Sequence, residues 1–266
     1  MLLNPFLFVI SAALAGPYSN PCIGNRVITP ENIKSVGKCR TYSGSLKLDG
    51  ILSPGNVSLH YMEEIYGDLV LNNYQGVLTH IPDIDGSLKI FNQEAYAFSI
   101  LQDVREVTSL VLRNVSANIH FNKLIVTKSI KVINSSATSI KGLEARDLEK
   151  IYIKDCPNLD EFQLGGLQNI SRVKISNTSL MTFDFLKNVI IEGDLFIENY
   201  KFPVLDIDAR QIGGRVFLYN NKPLYHVYFS ALDKLKFPMA LHGNPEFRFL
   251  QIRGNVEDVK PKNQIS

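Results

Sequence analysis

Several features that mark common functional classes are missing from this chain of 266 residues. Tryptophan is absent, which weakens the case for a sugar-stacking site without excluding one. Basic residues (28) almost balance acidic residues (26) and form no run, so charge gives no reason to expect a nucleic-acid partner. The apolar run from Phe6 to Leu14 is too short to span a bilayer, so we expect no transmembrane segment.

Residues arranged for catalysis or metal binding are also hard to find. The five histidines show no metal-ligand spacing, and neither a nucleophile elbow nor a phosphate loop occurs. We therefore expect no metal, no cofactor and no catalytic residue. The best carboxylate pairs, Asp206 with Asp208 and Asp83 with Asp85, each share one face of an extended segment. They leave open a secreted enzyme that acts on polysaccharides, although loops also carry such solvated charges.

The chain does contain a repeated phrase: an apolar residue, any residue, a second apolar residue and, two places on, usually asparagine. Its nine copies begin 19 to 23 residues apart, which is typical of a solenoid of stacked coils. The alternation indicates short strands whose first and third residues face inward. The sequence therefore predicts a mainly β fold, a single right-handed parallel β-solenoid of about 21-residue coils over residues 46–253. The copies start at Leu46, Leu69, Leu88, Leu110, Ile130, Ile151, Val173, Leu195 and Val216.

The fifth position of each phrase forms a column of asparagines. Counted by simple alternation, this position faces inward like the first and third. An amide there would satisfy backbone groups inside the turn that water cannot reach, so we expect an interior ladder with a structural role. A tenth coil around Ala240 and Leu241 is expected to add Asn244. The column comprises Asn73, Asn92, Asn114, Asn134, Asp155, Asn177, Asn199, Asn220 and Asn244.

The N-terminal region favours export and a cap. Residues 1–15 end in a small-x-small pattern typical of a signal peptide, although an apolar first strand is the alternative. Residues 16–45 are expected to form a cap with a short helix that has Thr29 as its N-cap. Cys22 and Cys39 suit a disulfide that closes this cap, with other pairings open, and Cys156 fits a buried apolar site.

Acceptor triplets for N-glycosylation support the same compartment. Five occur, more than the one or two that chance would give in such a chain. From residue 254 to residue 266 the sequence is polar and lacks the repeat, so we expect a flexible tail. The acceptors are Asn56, Asn114, Asn134, Asn169 and Asn177.

The outward positions of the last coils gather aromatic and basic residues into a candidate binding face. Exposed aromatics on a flat, rigid sheet suit docking of a glycan or a protein. The alternatives are that a loop or second subunit covers them, or that these aromatics only reflect the preference of β-structure. The face consists of Tyr152, Arg172, Lys174, Phe196, Arg215, Phe217 and Tyr219.

Two stretches carry a resemblance to a known family. Residues 39–48 and 65–73 resemble the opening of receptor L-domains, where a cysteine precedes a Gly-x-Leu-x-Ile strand. Residues 175–186 and 191–199 are similar to the fungal cell-wall and spore-wall glycoproteins of that family. The resemblance implies a non-catalytic role in wall assembly or integrity at the cell surface, with a wall polysaccharide or wall protein as partner.

The end of the chain departs from that family pattern. Family members typically finish with a Ser/Thr-rich stalk and a glycolipid-anchor signal, and residues 254–266 carry neither. We therefore expect either a secreted protein held non-covalently or a truncated product. A ligand-binding, receptor-like ectodomain remains a further alternative.

Overall fold

The computed structural model describes residues 20–29, 32–50, 59, 61–74, 81–94, 101, 104–235 and 239–253. The expected signal peptide, the expected tail and Asn56 lie outside these residues. Within them the chain forms a β-solenoid of about nine turns, which confirms the predicted fold class. The strands of one large sheet and two smaller sheets all pair in parallel.

Sixteen strands make up the large sheet. They are β1 (Arg26–Ile28), β3 (Leu46–Asp49), β5 (Leu69–Asn72), β7 (Ser87–Gln93), β8 (Glu106–Val115), β9 (Ile119–Ile133), β10 (Ser139–Glu144), β11 (Asp147–Cys156), β12 (Glu161–Gly165), β13 (Asn169–Thr178), β14 (Ile190–Ile191), β15 (Leu195–Glu198), β17 (Gln211–Ile212), β18 (Val216–Tyr219), β20 (Lys234–Leu235) and β21 (Met239–His242). One small sheet contains β2 (Thr41–Ser43), β4 (Glu64–Tyr66) and β6 (Asp83–Ile84), and the other contains β16 (Val204–Ile207), β19 (His226–Phe229) and β22 (Phe249–Ile252).

The repeat predicted from the sequence sets the register of the large sheet. Leu46 pairs with Leu69 and Leu69 with Leu88, and the same position continues strand by strand to Val216 and Met239. The first and third residues of the nine predicted copies are buried, so each coil lays its apolar side chains on those of the preceding coil. All nine predicted starts are confirmed.

The asparagine column lies outside the core, so the expected interior ladder is wrong. Each of its eight positions from Asn73 to Asn220 has a left-handed backbone, with φ between 48° and 53°. Gly50 (φ 75°) and Gly243 (φ 67°) fill the equivalent places in the first and last coils. This conformation reverses the simple alternation of side chains, so the residue that follows points inward. Asparagine, aspartate and glycine are the residues that adopt it at least cost.

The left-handed residue turns the chain without interrupting the backbone hydrogen bonds between neighbouring coils. The backbone N–H of Asn199 donates to the carbonyl of Tyr219 at 3.1 Å, and that of Asn134 donates to Lys154 at 3.0 Å. Outside, Asn114 donates to Asn92 at 2.7 Å and Asn92 donates to Asn72 at 2.8 Å through their amides. Members of the column thus bond outside the core, as Asn177 also does with Asp155 at 3.1 Å, but they form no continuous ladder among the described residues.

In the coils of β7, β18 and β21, an amide at the sixth position bonds to interior backbone groups at the turn. Gln93 accepts from the backbone N–H of Tyr74 at 3.0 Å and donates back to its carbonyl at 2.5 Å. Asn221, which is fully buried, accepts from the N–H of Tyr200 at 2.8 Å and donates to the carbonyl of Ile197 at 3.2 Å. The physical need for a buried amide was therefore correct, and its position was wrong by one residue.

The tenth coil is displaced by one residue from its predicted position. Met239, not Ala240, pairs with Val216, so Gly243 occupies the left-handed place. Asn244 is consequently the inward residue of this coil. It accepts from the N–H of Asn221 at 2.9 Å.

A disulfide and a short helix lie at the N-terminal end. Cys22 and Cys39 are bonded, with an S–S distance of 2.00 Å. Helix α1 (Ile33–Val36) has Asn32 as its N-cap rather than the predicted Thr29. The side chain of Asn32 accepts from the N–H of Thr29 and donates to the carbonyl of Val27, which holds the chain at that point.

Candidate functional site

The predicted binding face lies on the large sheet and its residues are cross-strand neighbours. Tyr152 on β11 pairs with Lys174 on β13, which pairs with Phe196 on β15, which pairs with Phe217 on β18. Neighbouring strands are about 4.8 Å apart, so these four side chains form one row across the coils. Tyr219 lies beyond this row, where it pairs with Glu198.

The aromatic part of the face is packed more tightly than expected. The rings of Phe196 and Phe217 stack with centroids 4.2 Å apart and planes 10° from parallel, and Tyr219 continues the stack at 5.7 Å from Phe217. Phe217 keeps only 8% of its surface exposed, so its predicted exposure is wrong. The guanidinium of Arg215 covers its ring at 4.7 Å. Phe196 and Tyr219 therefore provide the accessible aromatic surface.

Positive charges border these rings. The ammonium of Lys174 lies 5.8 Å from the ring centroid of Phe196, and Lys150 lies 4.7 Å from that of Tyr152. Partial burial lowers the pKa of the Lys150 ammonium, and the charges of Lys131, Arg172 and Lys174 lower it further. Lys131 and Lys150 thus belong to the face, although the sequence pattern did not single them out.

A second aromatic cluster was missed from the sequence. On the sheet of β16, β19 and β22, the ring of His226 stacks on Phe249 at 4.5 Å and on Tyr228 at 5.2 Å. Tyr225 and Val204 border this cluster with 40% and 44% of their surfaces exposed. The signal was the alternation in residues 226–229, where the even positions point out.

The two predicted carboxylate pairs lie on different sheets. Asp83 and Asp85 are exposed at β6, and Asp206 lies on β16, far along the chain from them. Asp206 accepts a hydrogen bond from the hydroxyl of Ser230. Among the residues that the structure describes, no three histidine, cysteine or acidic side chains are placed to hold a metal ion.

Four of the five glycosylation acceptors can be located. Asn114, Asn169 and Asn177 donate through their amides to Asn92, Asp147 and Asp155, at 2.7, 2.6 and 3.1 Å. Asn134 is exposed and its amide makes no hydrogen bond to the described residues. A glycan therefore meets least obstruction at Asn134.

No family model, curated protein or solved structure matches the chain. Within the described part of the chain, no helix is both long and apolar enough to cross a membrane. Cys156 is buried and unpaired, and burial raises the pKa of its thiol. The face on the large sheet is the best candidate for function, because the structure brings four of its predicted residues into one row.

Proposed function

We propose that this protein is a secreted, non-catalytic surface glycoprotein that binds a cell-wall polymer on the large sheet. Its role would be in wall assembly or integrity, including that of spores, as the resemblance to fungal wall glycoproteins with receptor L-domains implies. The Cys22–Cys39 disulfide is compatible with an oxidising compartment. N-glycosylation at the acceptor asparagines, with Asn134 the most open, is part of the same proposal.

One observation carries the proposal: a row of rings is held on a rigid surface. Phe196 and Tyr219 lie on strands whose inward residues are locked into a continuous core, so their backbone positions are fixed before binding. The exposed edges of these stacked rings offer apolar contact to a sugar, and preorganisation reduces the entropy lost on binding. The bordering lysine and arginine side chains supply hydrogen-bond donors for hydroxyl groups.

The test is binding of insoluble wall polymers by the intact protein. The double variant Phe196→Ser with Tyr219→Ser should lose at least about tenfold in affinity for β-glucan or chitin, since hot-spot aromatics each contribute on the order of 1 kcal/mol or more. Tyr66→Ser is the matched control, because Tyr66 is 51% exposed on a different sheet. Equal binding by the double variant and the unaltered protein would refute the proposal.

Catalysis can be tested on the same samples. Incubation with each polymer should release no new reducing ends if the protein only binds, since hydrolysis of a glycosidic bond creates one at each cut. Release that is abolished by Asp206→Asn would favour the polysaccharide-active enzyme instead.

A further inference from the structure

Four cations lie together on the face around one tyrosine. Lys131, Tyr152 and Lys174 are successive cross-strand neighbours on β9, β11 and β13. Lys150 and Arg172 pair two residues earlier on β11 and β13, which places them on the same outward side. We call Lys131, Lys150, Arg172 and Lys174 the cation cluster.

The cluster has no counter-charge among the described residues. None of its four members makes an ion pair there, and the adjacent carboxylates are engaged elsewhere. Glu149 pairs with Lys128 at 3.6 Å, and Asp155 pairs with Lys154 at 3.7 Å. Asp194, which precedes β15, accepts from the backbone N–H of Arg215 at 2.8 Å and forms an ion pair with its guanidinium at 3.9 Å.

Elsewhere on the same sheet surface, lysine side chains form ion pairs. Lys47 pairs with Asp49, and Lys89 pairs with Asp68. Like charges on neighbouring strands destabilise a sheet, so an unpaired group of four costs stability. Such a cost is typical of a site whose missing charge comes from a ligand.

We propose that the cation cluster binds an anionic group, a phosphate or a carboxylate, carried by the glycan that docks on this face. The proposal rests on the function proposed above and names the charge of its ligand. Tyr152 holds the Lys150 ammonium in place through its ring, while Lys174 is the member of the cluster that borders Phe196. One glycan chain can therefore place its anionic group at the cluster and a neutral ring on Phe196.

The dimensions favour a glycan over a long polyanion. The cluster covers three adjacent strands, or about 10 Å, which suits one or two anionic groups. With a net charge of only +2, the chain as a whole carries little positive charge to hold a long polyanion.

The experiment compares two double variants with equal change in charge. Lys150→Gln with Lys174→Gln removes half of the cluster, whereas Lys187→Gln with Lys222→Gln removes two exposed charges elsewhere. The probes are polygalacturonate for carboxylate, phosphorylated mannan for phosphate, laminarin as a neutral glycan and single-stranded DNA, all at 50 mM salt.

The expected results follow from the geometry. The cluster variant should bind the anionic glycan about tenfold more weakly, the control variant by less than about twofold, and laminarin binding should not change. Loss with polygalacturonate alone or with phosphorylated mannan alone assigns the anion and supports the proposal. The melting temperature of the cluster variant should stay equal or rise, because repulsion is relieved, which a purely structural role would not produce.

Other outcomes overturn the inference. Equal weakening in both variants would show general charge attraction, and tighter binding of DNA through the cluster would assign a nucleic acid. If laminarin binds through Phe196 but anionic glycans bind no better, this inference fails and the proposed function stands. If the unaltered protein binds none of the glycans, both fail.

Discussion

The left-handed column makes the sharpest prediction about what holds this solenoid together. Asn199 has φ 53°, is exposed and makes no side-chain hydrogen bond to the described residues, so its backbone conformation can be tested by itself. A left-handed conformation costs an ordinary L-residue about 1 to 2 kcal/mol, and asparagine less. Asn199→Ala should therefore lower the free energy of unfolding by about 1 kcal/mol and Asn199→Val by about 2 kcal/mol.

Substitution by glycine separates this backbone explanation from the alternative, a hydrogen bond made by the asparagine side chain. Glycine adopts positive φ without strain and gives up only unfolded-state entropy, so Asn199→Gly should stay within about 0.5 kcal/mol of the unaltered protein. The control Glu198→Ala changes the preceding extended residue and should also stay within about 0.5 kcal/mol. In a chain of this size, 1 kcal/mol shifts the melting temperature by about 2 to 4 °C.

The assay is thermal unfolding followed by circular dichroism on unglycosylated protein. The predicted order of stability is unaltered and Gly first, then Ala, then Val. If the asparagine side chain acted as an interior hydrogen-bonding group, Gly, Ala and Val would all lose the same bond. Equal losses for Asn199→Gly and Asn199→Val would therefore refute the left-handed explanation.

Three further substitutions test other parts of the fold. Asn221→Ala leaves two buried backbone groups unpaired. Urea denaturation should therefore show a free energy of unfolding lower by about 2 to 4 kcal/mol. A decrease of less than about 1 kcal/mol would contradict the hydrogen bonds described. Gly193→Ala puts a methyl group 2.4 Å from a carbonyl oxygen of the preceding coil, so the melting temperature of this variant should fall by about 5 °C or more. The control is Gly165→Ala, whose methyl group meets no atom closer than 3.8 Å and should change the melting temperature little. Burial acts to raise the pKa of Asp68, but hydrogen bonds, that from Lys89 foremost, outweigh it and leave this pKa below its usual value. Asp68→Asn should therefore lower the melting temperature at pH 7, and the difference should disappear as the pH falls below about 4, the usual pKa of an aspartate; a difference that persists in strong acid would exclude the carboxylate as its source.

The sequence was sufficient to predict the stack because its apolar positions repeat with the period of the coil. Leu46, Leu69 and Leu88 occupy equivalent positions in successive coils, so a slip of one residue would move each of these side chains out of the core. The disulfide partners lie 17 residues apart at one end, where little else competes for them. These features depend on composition and spacing alone.

The position of the asparagines could not be derived by the same reasoning. Alternation assumes that every residue is extended, and one left-handed residue breaks that assumption without changing the repeat length. Glycine at positions 50 and 243 was the available signal, because a column that mixes Asn, Asp and Gly indicates positive φ rather than hydrogen bonding. The same shift explains why Asn244 was assigned to the wrong column.

The binding face shows a second limit, since outward columns are easy to derive but pairing is not. The columns gave the neighbours of Tyr152 correctly, yet they could not show that Phe217 is covered by Arg215. Nor could the columns show that Lys89 forms an ion pair with a carboxylate while Lys174 does not, because both residues occupy the middle position of a strand. The difference depends on which side chains bend toward each other across the coils. A repeat fixes where function can lie, and the unpaired charges within it indicate where to test for a ligand.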